Sequence, residues 1–263
     1  MARTRTPTTT TPTTSPVRTA ADVARLGTVL GVWAHPDDEV YLSAGLMAAA
    51  RAAGNRVVVV TATRGERGTD DPVRQPPAVL APLRVRELAL SLALLDGGGG
   101  GVEHHFLGER TGHSYLDGAL GRSERAVGEL TELVEWIAPD TVLTFGPDGM
   151  TGHPDHRAVS AWTDLALGRA DVPAPRLLHA VVVAEWVREL GDALVPMDDG
   201  GDAFPVCPPE RLAVHLDLEP AALDVKIAAL RAHASQTGAL VTALGPRRFR
   251  AAVAGEWFRA AAA

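Results

Sequence analysis

Thr28-Val29-Leu30-Gly31-Val32-Trp33-Ala34 runs directly into His35-Pro36-Asp37-Asp38-Glu39, and this junction decides how the rest of the chain is read. A short, nearly continuous apolar run is the pattern of a strand covered on both faces, as in parallel sheets sandwiched between helices. Residues 39–53 then read as a helix closed by Gly54. Working outward, strand and helix patterns alternate. Residues 56–63, containing Val57-Val58-Val59-Val60, read as a second buried strand, and 81–95 as a helix. Strands follow at 102–107, 141–145, 177–183 and 211–218, with helices at 124–137, 154–167 and 220–234. The alternation implies an α/β, Rossmann-like fold with a mainly parallel sheet and helices on both faces.

Bulk composition narrows the function classes. Hydrophobic content of 46% with 22% charged residues is that of an ordinary globular protein. No apolar run approaches the roughly 20 residues that span a bilayer. A net charge of −7 argues against a nucleic-acid partner, which needs a basic face. Cys207 is the single cysteine, so an internal disulfide and a cysteine zinc cage are both excluded. Any metal must be held by His, Asp or Glu. Lys226 is the only lysine and is expected to be exposed and without special role.

The Thr/Pro tract at the start has little apolar surface to bury, so residues 1–24 are expected to be a disordered tail and 25–263 a single domain. The tract is basic but lacks the apolar core of a secretory signal, from which a cytoplasmic location is expected. Glycines 97–101 read as a flexible connection, and residues 198–209, rich in Asp, Gly and Pro, as a long surface loop.

His35 follows the first strand, and in open parallel sheets ligands bind at the carboxyl ends of strands. If a helix begins at Pro36, His35 and Asp38 face the same way while Asp37 points elsewhere. That suits one carboxylate on a metal and a neighbour left as a base. Acids at a helix N-terminus are also favoured by the helix dipole alone, but three in a row beside a histidine exceed that need. The strand at 141–145 leads through a Gly/Pro-rich loop to His153-Pro154-Asp155-His156, where two histidines three apart can share a helix face. If His35, Asp38, His153 and His156 all bound zinc, the site would be closed and structural. A catalytic site keeps a position for water, so one histidine should be withheld, and spacing does not say which.

The segments Ala34-His35-Pro36-Asp37-Asp38-Glu39 and Gly152-His153-Pro154-Asp155-His156 together resemble the two hallmark motifs of the PIG-L/LmbE-like deacetylases. Weaker matches are Thr63-Arg64-Gly65-Glu66-Arg67-Gly68, Arg84 with Glu87, and His233-Ala234-Ser235-Gln236. The resemblance implies His35, Asp38 and His156 as metal ligands, Asp37 as general base, and His153 as the charge-stabilising histidine. It also implies a zinc-dependent hydrolase removing an acetyl group from an N-acetylglucosamine-type sugar conjugate, giving free amine and acetate. Iron(II) also suits the ligand set.

Substrate contacts are assigned to Arg64, Glu66, Arg84, Asp117 and Gln236, with Asp117 expected at the mouth. His113 is a weaker candidate, and His104 and His105 read as structural strand residues. Two alternatives stand beside the sugar deacetylase: a zinc amidase for another N-acyl substrate, such as a mycothiol conjugate or acylated natural product, and a metal-binding module without turnover. Asp37 argues against the last, because a mere metal binder has no use for it. The small-molecule sugar conjugate or N-acyl amine is the expected partner; the sequence does not speak to oligomeric state.

Overall fold

The computed structural model describes residues 15–95, 101–190 and 204–261. Within them, β1 (Val29–Trp33), β2 (Val57–Thr61), β3 (Glu103–Phe106), β4 (Thr141–Phe145), β5 (Arg176–Ala180), β6 (Leu212–Asp217) and β7 (Gly255–Ala260) form one sheet in the order β3-β2-β1-β4-β5-β7-β6. Strands β1 to β5 pair in parallel, and β7 runs antiparallel to both β5 and β6. The expected mainly parallel α/β architecture is present, with this reversed strand added.

The helices are α1 (Ala20–Val23), α2 (Asp38–Ala52), α3 (Pro77–Leu95), α4 (Glu124–Ile137), α5 (Gly149–Gly152), α6 (Pro154–Arg169), α7 (Ala184–Leu190), α8 (Pro220–Ala232) and α9 (Ala234–Ala252). One group, α2, α3 and α8, packs together; α4 packs on α6; both groups reach β1. Every residue of β1, β2 and β4 is accordingly buried, as a sheet clad on both faces requires. Helix α4 shows how sequence makes the outer layer. Ser123 caps it by accepting from the Ala126 N–H, and Ala126, Val127, Leu130, Leu133, Val134 and Ile137 form its buried stripe.

Two expectations need correction. The fold begins before residue 25: Val17 is fully buried and exchanges backbone hydrogen bonds with Ala213 and His215 beside β6, and Thr19 caps α1. Residues 1–14 of the expected tail lie outside the described residues. Of the expected 198–209 loop, 198–203 lies outside them as well, while Phe204 and Cys207 are buried and Val206 bridges Val182. Of the glycine run, only Gly101 is described.

Lys226 is the second correction. It is fully buried on α8, with Nζ 2.9 Å from Glu256 Oε1 on β7. Glu256 also accepts the Gly45 and Leu46 N–H groups at 2.7 and 2.8 Å. These donors follow Ser43, where α2 leaves helical geometry (φ −147°). The break starts a second helix N-terminus inside α2, and a remote carboxylate caps it.

Candidate active site

Strand β1 has β2 on one side and β4 on the other, so the chain order reverses between β1 and β4. Ligands bind in the crevice beyond the carboxyl ends of strands at such a reversal. Both histidine segments leave the sheet there. Trp33, ending β1, meets Phe145, ending β4, edge-on at 5.1 Å between centroids, and Phe145 stacks on the His156 ring at 3.9 Å. The strand ends thus set the plane of one imidazole.

The first turn departs from the sequence expectation. Pro36 lies in the turn, not in the helix, which opens at Asp38 with Asp37 as its N-cap in left-handed conformation (φ 119°). A positive φ at a non-glycine residue is strained and persists where surroundings enforce it. Here they do. Arg84 donates to the Pro36 carbonyl at 2.6 Å and to Asp37 Oδ2 at 3.2 Å, and Glu39 Oε2 accepts the Asp37 N–H at 3.1 Å. Asp38 still meets His35: its Oδ2 accepts the His35 N–H at 2.8 Å and lies 3.5 Å from His35 Nδ1.

In the second turn Pro154 does occupy the first helical position of α6, with His153 as N-cap. His153 Nδ1 accepts the Asp155 backbone N–H at 3.1 Å. That bond fixes the tautomer and leaves Nε2 to carry the ring's proton. His156 Nε2 lies 3.4 Å from Asp38 Oδ1, and its Nδ1 lies 3.1 Å from the Gly149 carbonyl.

Two overlapping groups bring possible ligand atoms within 4.8 Å of one another: His35, Asp38 and His156, or His35, His153 and Asp155. Hydrogen bonding favours the first. The Asp155 carboxylate already accepts the Gly118 and Leu120 N–H groups at 2.6 and 3.1 Å, and its Oδ2 lies 3.2 Å from His35 Nε2. Asp117 Oδ1 lies 3.2 Å from the same nitrogen. The outer nitrogens of His35 and His156 therefore face acceptors, which turns lone pairs on the inner nitrogens towards Asp38. Metal-binding histidines are oriented in this way, and two histidines with one carboxylate make a set suited to zinc. The residues present fit a metal ion.

Electrostatics separate the remaining groups. Burial pushes the Asp37 carboxyl up to about 6, with Arg84 opposing the rise and Asp38 adding to it. Burial, together with the neighbouring His156 and His35 rings, holds His153 down at about 4. At that value the His153 ring is neutral near pH 7 in the metal-free chain, and its Nε2–H is a donor.

The expected substrate contacts divide. Gln236 lines a cleft of about 340 Å³ that also contains Asp37, Asp38 and His156. Arg64 is half-buried, its guanidinium 5.0 Å from the Phe106 ring centroid. Three others have different surroundings from those expected. Arg84 is buried and directed at the Asp37 turn and the Gly65 carbonyl. Glu66 is buried and accepts the Asp117 N–H at 3.0 Å. Asp117 is buried beside His35 instead of standing at the mouth. His113 is exposed against Tyr115, and His104 bonds Thr61 within the sheet.

Sequence reasoning placed Asp155, Glu39 and His233 in motifs but gave them no role. Asp155 had a signal, the acid that follows His-Pro in both motifs. His233 is fully buried with Nε2 3.4 Å from Glu39 Oε1, and nothing in local spacing announces that long-range pair.

Fold and cluster together define an α/β protein with a group of possible metal ligands at the sheet's reversal point and the Asp37 carboxylate beside it. Residues 30–167 match the model of the PIG-L family, GlcNAc-PI de-N-acetylase, and the chain belongs to that family. It is 31% identical over 248 residues to a 1D-myo-inositol 2-acetamido-2-deoxy-alpha-D-glucopyranoside deacetylase of Corynebacterium diphtheriae, covering 86% of this chain and 82% of that one. Among solved structures it resembles N,N'-diacetylchitobiose deacetylase from Pyrococcus horikoshii, with TM-score 0.61, 23% identity, and 89% and 83% of the two chains covered. It also resembles a 4-carboxy-2-hydroxymuconate hydratase from Pseudomonas putida, with TM-score 0.60, 17% identity, and 90% and 97% covered. The fold alone therefore does not select the reaction.

Proposed function

We propose that this protein is a zinc-dependent N-deacetylase acting on an N-acetylglucosamine-type sugar conjugate. The observation that carries the reading is the convergence of His35, Asp38 and His156 with Asp37 beside them, in a chain whose curated relative is a sugar-conjugate deacetylase. His35, Asp38 and His156 hold the ion in this reading. Zinc bound there supplies a Lewis acid that polarises the acyl carbonyl and makes water a nucleophile near neutral pH.

The chain's own groups do the rest. Asp37, raised towards neutrality, takes a proton from the attacking water and returns it to the leaving amine. The His153 Nε2–H donates to the acyl oxygen as charge develops on it. Asp155 and Asp117 hold the His35 ring, and Arg84 holds the Asp37 turn. Water's oxygen joins the acetyl carbon, the C–N bond breaks, and acetate and a primary amine leave.

The test is to incubate zinc-loaded and chelator-treated protein with a panel of N-acetylated sugars and other N-acyl amines, measuring acetate and primary amine. Equimolar release from sugars, abolished by chelation and restored by zinc, is expected. Release only from non-sugar amides would overturn the substrate class.

A further inference from the structure

The cleft at Asp37 and His156 is much larger than an acetyl group requires. Its volume of about 340 Å³ falls in the range of about 300–1,000 Å³ found for sites of drug-sized ligands. Away from the metal-type cluster its walls are apolar. Leu42 comes from α2, Trp186 and Leu190 from α7, Leu240 from α9, Val253 from the following turn, and Trp257 from β7. Gly255 makes room for the Trp257 indole, since a Cβ there would come within 2.1 Å of the ring.

Two of the polar lining side chains, Glu256 and Gln236, are bonded elsewhere. Asp37, Asp38 and His156 belong to the reacting end. Glu256 binds Gly45, Leu46 and Lys226, and Gln236 Nε2 donates to the Gly68 carbonyl and Ser235 Oγ. Among the described lining residues, the side-chain hydroxyls are those of Tyr41 and Thr151. A second polar ring, such as the inositol named in the corynebacterial relative's substrate, would bury hydroxyls against indole and leucine. Burying such groups without partners is unfavourable.

We infer that the substrate carries an apolar aglycone on its N-acetylated sugar and that this cleft binds it. The inference rests on the deacetylase reading: with acetyl as the group removed, the cleft's occupant belongs to the amine half of the substrate. Trp257 and Trp186 are then specificity-determining residues.

The experiment compares zinc-loaded protein on methyl, butyl and hexyl glycosides of N-acetylglucosamine, and on the methyl glycoside of N-hexanoylglucosamine, by primary-amine release. Since each buried methylene favours binding several-fold, kcat/KM is expected to rise at least about tenfold from methyl to hexyl, mainly through KM. Trp257→Ala is expected to shrink that hexyl-to-methyl ratio. Equal kcat/KM across the three glycosides would overturn the apolar subsite while leaving deacetylation standing. A gain confined to the N-hexanoyl compound would overturn it too, by assigning the cleft to the acyl half. Should no sugar yield amine, the deacetylase reading fails instead. Tryptophan fluorescence of metal-free protein titrated with the methyl and hexyl glycosides then decides the cleft separately: tighter hexyl binding supports it, and equal binding overturns it.

Discussion

Lys226 Nζ sits 2.9 Å from Glu256 Oε1 with both side chains inaccessible to solvent, and the same carboxylate caps the helix that restarts after Ser43. The pair ties α8 and β7 to the helix that carries Asp38. Removing one member leaves the other charge buried without its partner, at a cost of about 3–5 kcal/mol. Lys226→Met is therefore expected to destabilise metal-free protein by about that amount in urea unfolding. The double variant Lys226→Met/Glu256→Gln should recover part of the loss. An unchanged midpoint for Lys226→Met would refute the importance of the pair.

Asp37 and His156 should fail in different ways. Asp37→Asn keeps the proposed ligands and should retain zinc after dialysis, while acetate release falls by about 10²–10⁴-fold. His156→Ala should lose zinc itself. Full turnover by Asp37→Asn would end its role as base.

The acid limb of the pH profile follows from the Asp37 environment. The base must be ionised, so kcat/KM is expected to fall as pH drops through its pKa, about tenfold per unit below it. Burial places that carboxyl at about 6 in the metal-free chain. A zinc ion beside it favours the ionised form and moves the limb lower. Arg84→Gln removes a cation that favours ionisation, so the limb should move to higher pH. A limb moving downward in that variant would contradict the electrostatics.

Asp155 is expected to act through His35. Asp155→Asn weakens the acceptor that orients the ring, and loss of such a partner commonly costs about 10–100-fold in metal affinity. Competition with a chromophoric chelator measures this directly. Unchanged affinity would mean that Asp117 alone, 3.2 Å from the same nitrogen, suffices to hold the ring.

Local pattern made much of the fold legible. The runs ending in Trp33 and Phe145 were readable because a strand buried on both faces has no polar alternation, and α4 was readable from its stripe and cap. Residues of α9 and β7 escaped because their partners are remote. Glu256 is defined by contacts with Gly45, Leu46 and Lys226, and no periodicity encodes those. In the site, the motif histidines and aspartates were legible as a group. Arg84 and Glu66 are assigned to substrate from charge alone, and charge in a sequence does not reveal which partners the chain's own backbone supplies; both are buried and bonded to protein groups. The positive φ of Asp37 was likewise invisible, since an Asp before a helix normally caps it in extended conformation.

The most direct measurement is anomalous diffraction at the zinc edge from crystals of zinc-loaded protein. Two ligand groups share His35, so the ion's position discriminates between them. The expected result is one peak about 2.0–2.2 Å from His35 Nδ1, an Asp38 carboxylate oxygen and His156 Nε2, with His153 outside bonding distance. A peak bonded to His35 Nε2, His153 and Asp155 would contradict the division between ligands and proton-handling groups.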